Sequence, residues 1–212
     1  MIRLRTLLFV VLVVAVGSVG LLSGKVAPTT IKELADSSDY IVIGTVTSVV
    51  ELREVPVATL LVSSVIKGPP VTKVVFLARG TWTCDISGAE EGEEVLLFLS
   101  PYEFASNPHP QVESEREVWT TEFEEPAGFR EEVEALLDEL PFLQIAWAGR
   151  GSMPIRKRKG EQYVTIWTDD VSLPEGVQTI DGPEKKYADF IRSVKLDQIL
   201  GILEEWQLQP EQ

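Results

Sequence analysis

Between residues 40 and 100 the chain sets long β-branched runs between short breaks of glycine, proline and acidic residues, a rhythm that predicts strands. "YIVIGTVTSVVEL" (40–52) is the longest run. Ile41, Ile43, Thr45, Thr47 and Val49 share one face, while Val42, Gly44, Val46, Ser48 and Val50 share the other. Apolar residues on both faces make it too continuous for a simple surface strand. Gly44 inside such a run predicts a bend or bulge, as a tightly coiled sheet needs. "VATLLVSSVIKG" (57–68) predicts a second strand ended by the turn "KGPP", and "VTKVVFLA" (71–78) a third. "EEVLLFLS" (93–100) predicts a fourth, entered through the acidic turn "AEEGEE" and stopped by Pro101.

Helical spacing brackets these strands. "TTIKELADSSDY" begins with a cap-like Thr30 and places Ile31, Leu34 and Ala35 on one face of one or two turns. "PAGFREEVEALLDEL" (126–140) is the clearest helix, with Phe129, Val133, Leu136, Leu137 and Leu140 forming a stripe opposite Glu and Asp. "FLQIAWAG" (142–149) returns to strand character, and "SMPIRKRKGEQYVTIW" (152–167) reads as a hairpin with "KRKG" at its tip. The tail predicts helices at 183–193 and 196–207, the first on Tyr187, Phe190, Ile191 and Val194, the second on Leu196, Ile199, Leu200 and Leu203. Residues 101–117 read as a polar surface excursion, and "VWTTEF" (118–123) predicts a short extra strand. No internal repeat is visible. The expected class is mainly β with α decoration: a five-stranded Greek-key barrel of the OB type over 28–182, a helical insert at about 126–140, and a helical tail over 183–212.

The first 27 residues form a separate segment. Arg3 and Arg5 precede an apolar run from Leu7 to Leu22 that ends in small residues, the layout of an export signal. Cleavage is expected between Gly20 and Ala27; the alternative is an uncleaved anchor through residues 7–24, since about 20 apolar residues span a bilayer. Either outcome places the body outside the cytoplasm, secreted or periplasmic. Loss of Arg3 and Arg5 takes the formal charge from −14 to −16. Nucleic-acid binding rests on neutralising phosphates with Lys and Arg, so so acidic a body argues against it and against anionic membrane surfaces. Contact with membrane is expected only through residues 7–24.

Candidate chemistry is sparse. The single cysteine, Cys84 in "TWTCDIS", cannot form an internal disulfide. Alternation places it between Trp82 and Ile86 on one face, with Thr81, Thr83 and Asp85 on the other. An apolar face and the carboxylates of Asp85, Glu90 and Glu91 oppose thiolate formation, so Cys84 reads as structural rather than nucleophilic. The single histidine, His109 in "SNPHPQ", lies in a polar loop between two prolines that does not hold a general base rigidly. The sequence lacks a G-x-S-x-G elbow, an H-E-x-x-H helix and a C-x-x-C pair. "EEGEE" lacks the Asp/Asn alternation of a calcium loop. "RKRK" (156–159) is the basic cluster of the chain, simplest as a solvated hairpin tip. No catalytic residue, metal site or cofactor is expected.

The strand motifs carry a resemblance. "ADSSDYIVIGTVTSVV", "LLVSSVIKGPPVTKVVFL" and "GEEVLLFLS", followed by "WAGRGSMPI" (147–155), resemble exported bacterial netrin-like proteins, relatives of the tissue inhibitors of metalloproteinases. The resemblance implies an OB-type barrel over about 30–100 and 142–156. Those inhibitors chelate zinc through an amino-terminal, disulfide-bonded cysteine, and this chain has no cysteine near its expected new terminus. That mechanism does not carry over. The expectation is a non-enzymatic binding module for an extracellular or envelope protein, with Trp82, Asp85 and the 101–117 excursion as contact surface. The alternatives are a protease inhibitor of another mechanism and a cysteine- or carboxylate-dependent enzyme.

Overall fold

In a computed structural model the described residues are 28–78, 89–104, 125–137, 140–147, 150–167, 170–182 and 191–207. Five strands close a barrel: β2 (Tyr40–Leu52), β3 (Val55–Lys67), β4 (Lys73–Leu77), β5 (Glu94–Pro101) and β6 (Phe142–Ile145). Around the barrel the order is β2, β3, β4, β6, β5 and back to β2, every pair antiparallel except β4 with β6. This is the mainly β, OB-type architecture that the strand pattern predicts. Val42, Val46, Ala58, Leu60, Val74, Phe76, Leu97 and Leu143 fill the interior and are buried. These side chains pack together as the core of the barrel.

The β2–β3 hairpin turns through Arg53 and Glu54, at φ 51° and 67°, a two-residue turn of the left-handed kind that matches strand twist. Register shifts at Ile41/Val42, Ile43/Gly44 and Val46/Ser48 coil β2 around the barrel. Gly44 has a steric reason for its identity. A Cβ there would lie 2.4 Å from the Leu61 carbonyl oxygen and 2.8 Å from Leu60 Cγ.

A second layer grows from β5, which is why "VLLFL" is apolar without interruption. Val95, Leu97 and Leu99 face the barrel, while Leu96 and Phe98 face outward into a second core. Opposite Val95–Leu97 the sheet continues through β7 (Ser152–Arg158) to β8 (Glu161–Ile166). It ends in β11 (Arg192–Lys195) and the edge strand β10 (Thr179–Asp181). Helices α1 (Ile31–Asp36) and α3 (Leu196–Gln207) cover this layer with Ile31, Leu34, Ile199 and Leu203. Between β6 and β7 the chain bulges around a single residue of β5. Ala146 N–H donates to the Phe98 carbonyl at 2.9 Å, and Phe98 N–H donates to the Gly151 carbonyl at 2.8 Å. Trp147 in this bulge has φ 52° and donates from Nε1 to Ser37 Oγ at 2.9 Å. Arg150, its side chain 7% exposed, pairs with Asp170 at 3.0 Å.

The chain enters the body under restraint. Strand β1 (Thr29–Thr30) pairs in parallel with β9 (Val171–Ser172), and the buried Thr29 donates its N–H to the Asp170 carbonyl at 2.7 Å. Thr30 then caps α1 as expected. Its hydroxyl accepts from Glu33 N–H at 3.0 Å, and Glu33 Oε2 accepts from Thr30 N–H at 2.7 Å, a reciprocal capping box.

Three expectations change. The helix at 126–140 is α2 (Phe129–Leu137), starting only after Pro126 and the left-handed Gly128 (φ 80°). The strand at 142–149 stops at Ile145, where the bulge begins. The helix placed at 183–193 is corrected at its end: Arg192–Lys195 is strand β11, with Val194 opposite Val164 on β8, and 183–190 lie outside the described residues. Pairing with the open edge of β8 outweighs a helical stripe that Val194 only appeared to complete.

Candidate binding surface

Two sectors of the barrel's outer wall are covered. Over the start of β2 and over β5, Ile41, Ile43, Leu96 and Phe98 lie beneath the second layer. Over β4, β6 and the start of β3, Val57, Val75, Leu77 and Phe142 lie beneath Phe129 and Val133 of α2. That sector is sealed by aromatic rings. Tyr102 meets Phe142 edge-on at 5.1 Å, Phe104 stacks on Phe142 at 5.6 Å, and the Arg130 guanidinium lies 5.2 Å from the Phe104 ring centre. Tyr102 Oη donates to Glu125 at 2.7 Å, and Arg53 at the hairpin tip pairs with Glu132 of α2 at 2.7 Å.

The third sector is the middle of the β2–β3 hairpin, where Thr45, Thr47, Leu61 and Ser63 are exposed. Leu61 is 56% exposed and lies in register between Thr45 of β2 and Lys73 of β4. Around it the hydroxyls are tied back to the sheet. Thr47 Oγ1 donates to the Thr59 carbonyl at 3.2 Å, and Ser63 Oγ donates to the Ile43 carbonyl at 3.1 Å. Their lone pairs stay available as acceptors, so the sector is an apolar point beside hydroxyls, with Glu94 of β5 and Lys73 of β4 at the two ends of its row.

Trp82 and Asp85, like Cys84 and His109, lie outside the described residues. The anchor points of the segment that carries Trp82 and Asp85 are defined. Ala78 N–H donates to the Pro56 carbonyl at 2.9 Å, and Gly92 N–H donates to the Val46 carbonyl at 2.8 Å. Both anchors belong to the hairpin that carries the open sector. Sequence reading missed Leu61 because "TLLV" offers two adjacent leucines, and only register decides that Leu60 points inward and Leu61 outward.

Among the described residues no group of three or more His, Cys, Asp or Glu is placed to hold a metal. Shifted ionisations fall on exposed surface pairs. Thr30, through its backbone N–H first and its hydroxyl second, holds the Glu33 carboxyl below its ordinary range. The Lys195 ammonium, then the Tyr163 hydroxyl, lower Glu161, while Glu161 raises both Tyr163 and Lys195. These shifts have structural causes, a helix cap and a cross-strand pair. No protein-family model matches the chain, nor does any curated protein or solved structure.

Proposed function

We propose that the protein is a non-enzymatic, extracytoplasmic binding module that engages a protein partner through the open sector of its barrel. One observation carries the reading: two sectors of the outer wall are covered by the protein's own elements, and the third leaves Leu61 56% exposed at its centre. Because the interior is filled, a ligand must be taken on the outside, and OB barrels bind on that face and its flanking loops. A surface with an apolar centre, hydroxyls around it and one charge of each sign at its margins suits a polypeptide better than a polyanion. The netrin-like motifs are compatible with this reading, and it needs no amino-terminal zinc chelation. The leader segment supports export.

The test places a photo-crosslinking amino acid at position 61, with position 204 on an exposed turn of α3 as control. Irradiation in the extracytoplasmic fraction is expected to yield a discrete adduct from position 61 alone. Excess wild-type protein should compete it away, and the L61E variant should not. Equal labelling from both positions, or no adduct from position 61, overturns the assignment.

A further inference from the structure

The far end of the second layer carries a separate feature. The β7–β8 hairpin turns through Lys159 and Gly160, at φ 52° and 85°, a tight turn that holds its flanking residues apart from the body. Lys157, Arg158 and Lys159 are exposed there, in a chain of formal net charge −14. Next to this turn β8 begins at Glu161, and β11 ends at Lys195, opposite Tyr163, before running directly into α3. A cavity of about 280 Å³ opens between these elements, lined by Glu161, Gln162, Lys195, Leu196, Asp197 and Leu200. Its two carboxylates accept hydrogen bonds within the protein. Glu161 accepts from Lys195 Nζ at 2.5 Å and from Tyr163 Oη at 2.8 Å, and Asp197 Oδ1 accepts from Gln198 N–H at 2.8 Å. Glu161 is ion-paired and Asp197 keeps its charge at the wall, so the exposed hairpin cations supply the charge for an acidic ligand, and Leu196 and Leu200 offer apolar surface beside them.

We propose that this end is a second interaction surface, taking an acidic polypeptide segment whose carboxylates lie along residues 157–159 and whose single large apolar side chain enters the cavity over Leu196 and Leu200. The cavity falls below the roughly 300–1,000 Å³ of sites that enclose a whole small molecule, so its volume fits one side chain. Three clustered cations neutralise too few phosphates to overcome the repulsion of so acidic a body for nucleic acid. An anionic lipid surface is disfavoured by the same acidic body, whose net charge of −14 repels it.

The test is fluorescence anisotropy on the full-length protein with a dye-labelled peptide of four glutamates around one phenylalanine. Wild-type protein is expected to bind it at low salt and to weaken as salt rises. K157E/K159E, both exposed positions whose exchange leaves the core untouched, should weaken binding at least tenfold. A peptide with serine in place of phenylalanine should bind at least threefold more weakly to wild type. The L61E variant should bind as wild type does, which separates this surface from the one on the barrel. Absence of binding at low salt, unchanged binding by K157E/K159E, or indifference to the phenylalanine overturns the proposal. So does binding of phosphatidylglycerol vesicles, lost in K157E/K159E, by a protein that ignores the peptide.

Discussion

Gly44 lies where β2 runs close against β3, and G44A tests the barrel's geometry directly. The added methyl would meet the Leu61 carbonyl oxygen at 2.4 Å and Leu60 Cγ and Cδ2 at 2.8 and 2.9 Å. Unstrained carbon contacts run at about 3.5–4.0 Å, so the neighbours would have to retreat by roughly 1 Å. Leu60 is fully buried in the barrel core, and the Leu61 carbonyl belongs to the sheet backbone. Overpacking of this kind costs about 1–3 kcal/mol, and a distorted ladder hydrogen bond adds about 1 kcal/mol. Against this, replacing glycine restricts the unfolded chain and returns about 0.4–1 kcal/mol. The net expectation is a loss of about 1–3.5 kcal/mol. At roughly 2–4 °C per kcal/mol for a domain of this size, the midpoint should fall by about 2–14 °C. Equilibrium urea unfolding followed by circular dichroism gives the free energy, and a thermal melt gives the midpoint. G201A supplies the control, because a Cβ at this helical glycine meets nothing within 4 Å. That exchange should stabilise by about 0.5–1 kcal/mol. A G44A protein within about 0.5 kcal/mol of wild type would refute the close crossing, since even the low end of the overpacking range exceeds that.

T30A removes one half of the capping box and should cost about 1 kcal/mol in urea unfolding. D170N keeps the shape but discharges the partner of the nearly buried Arg150, and should cost about 2 kcal/mol by the same measurement, the scale of a hydrogen bond to a charged group. For the Glu161 pair the sign is set by direction. Glu161 has its folded pKa lowered, so its contribution is present above the unfolded value and fades as pH falls through the folded one; Lys195 is raised, so its contribution is fully present below its unfolded value and fades as pH rises through the folded one. Tyr163, raised above 10.0 because its hydroxyl donates to Glu161, should titrate at lower pH in E161Q, as read by tyrosinate absorbance. Native Cys84 should resist a thiol reagent until denaturant is added; rapid labelling of the folded protein would restore the enzymatic alternative.

The sequence pattern located the barrel strands because their signals are local: β-branched runs bounded by Gly and Pro, with Gly44 marking the irregularity in β2. The uninterrupted apolar run in β5 predicts a strand but not its two cores: burial by the barrel on one face and by the second layer on the other shows only in the structure. What lay beyond reading was set by pairing at a distance. The two residues of β1 and two of β9 are strands only because they meet each other, and β11 exists because β8 offers it an edge. The candidate surface failed to show for the same reason. Outward exposure of Leu61 follows from where α2 and the second layer happen to stop, which no window along the chain records.

The parallel seam of the barrel, β4 against β6, has a consequence for how the molecule is made. Val75 meets Phe142 across that seam, so the last stave of the cylinder arrives far behind its neighbour as the chain emerges from a ribosome or a translocation pore. Until it does, the flank of β4 and the flank of β5 that later pairs with β6 and β7 stand open. Synthesis halted before that point leaves an unsealed trough with bare backbone along two edges, a form prone to stick to its own kind and to attract proteases. The finished protein is safe only once its final third has appeared.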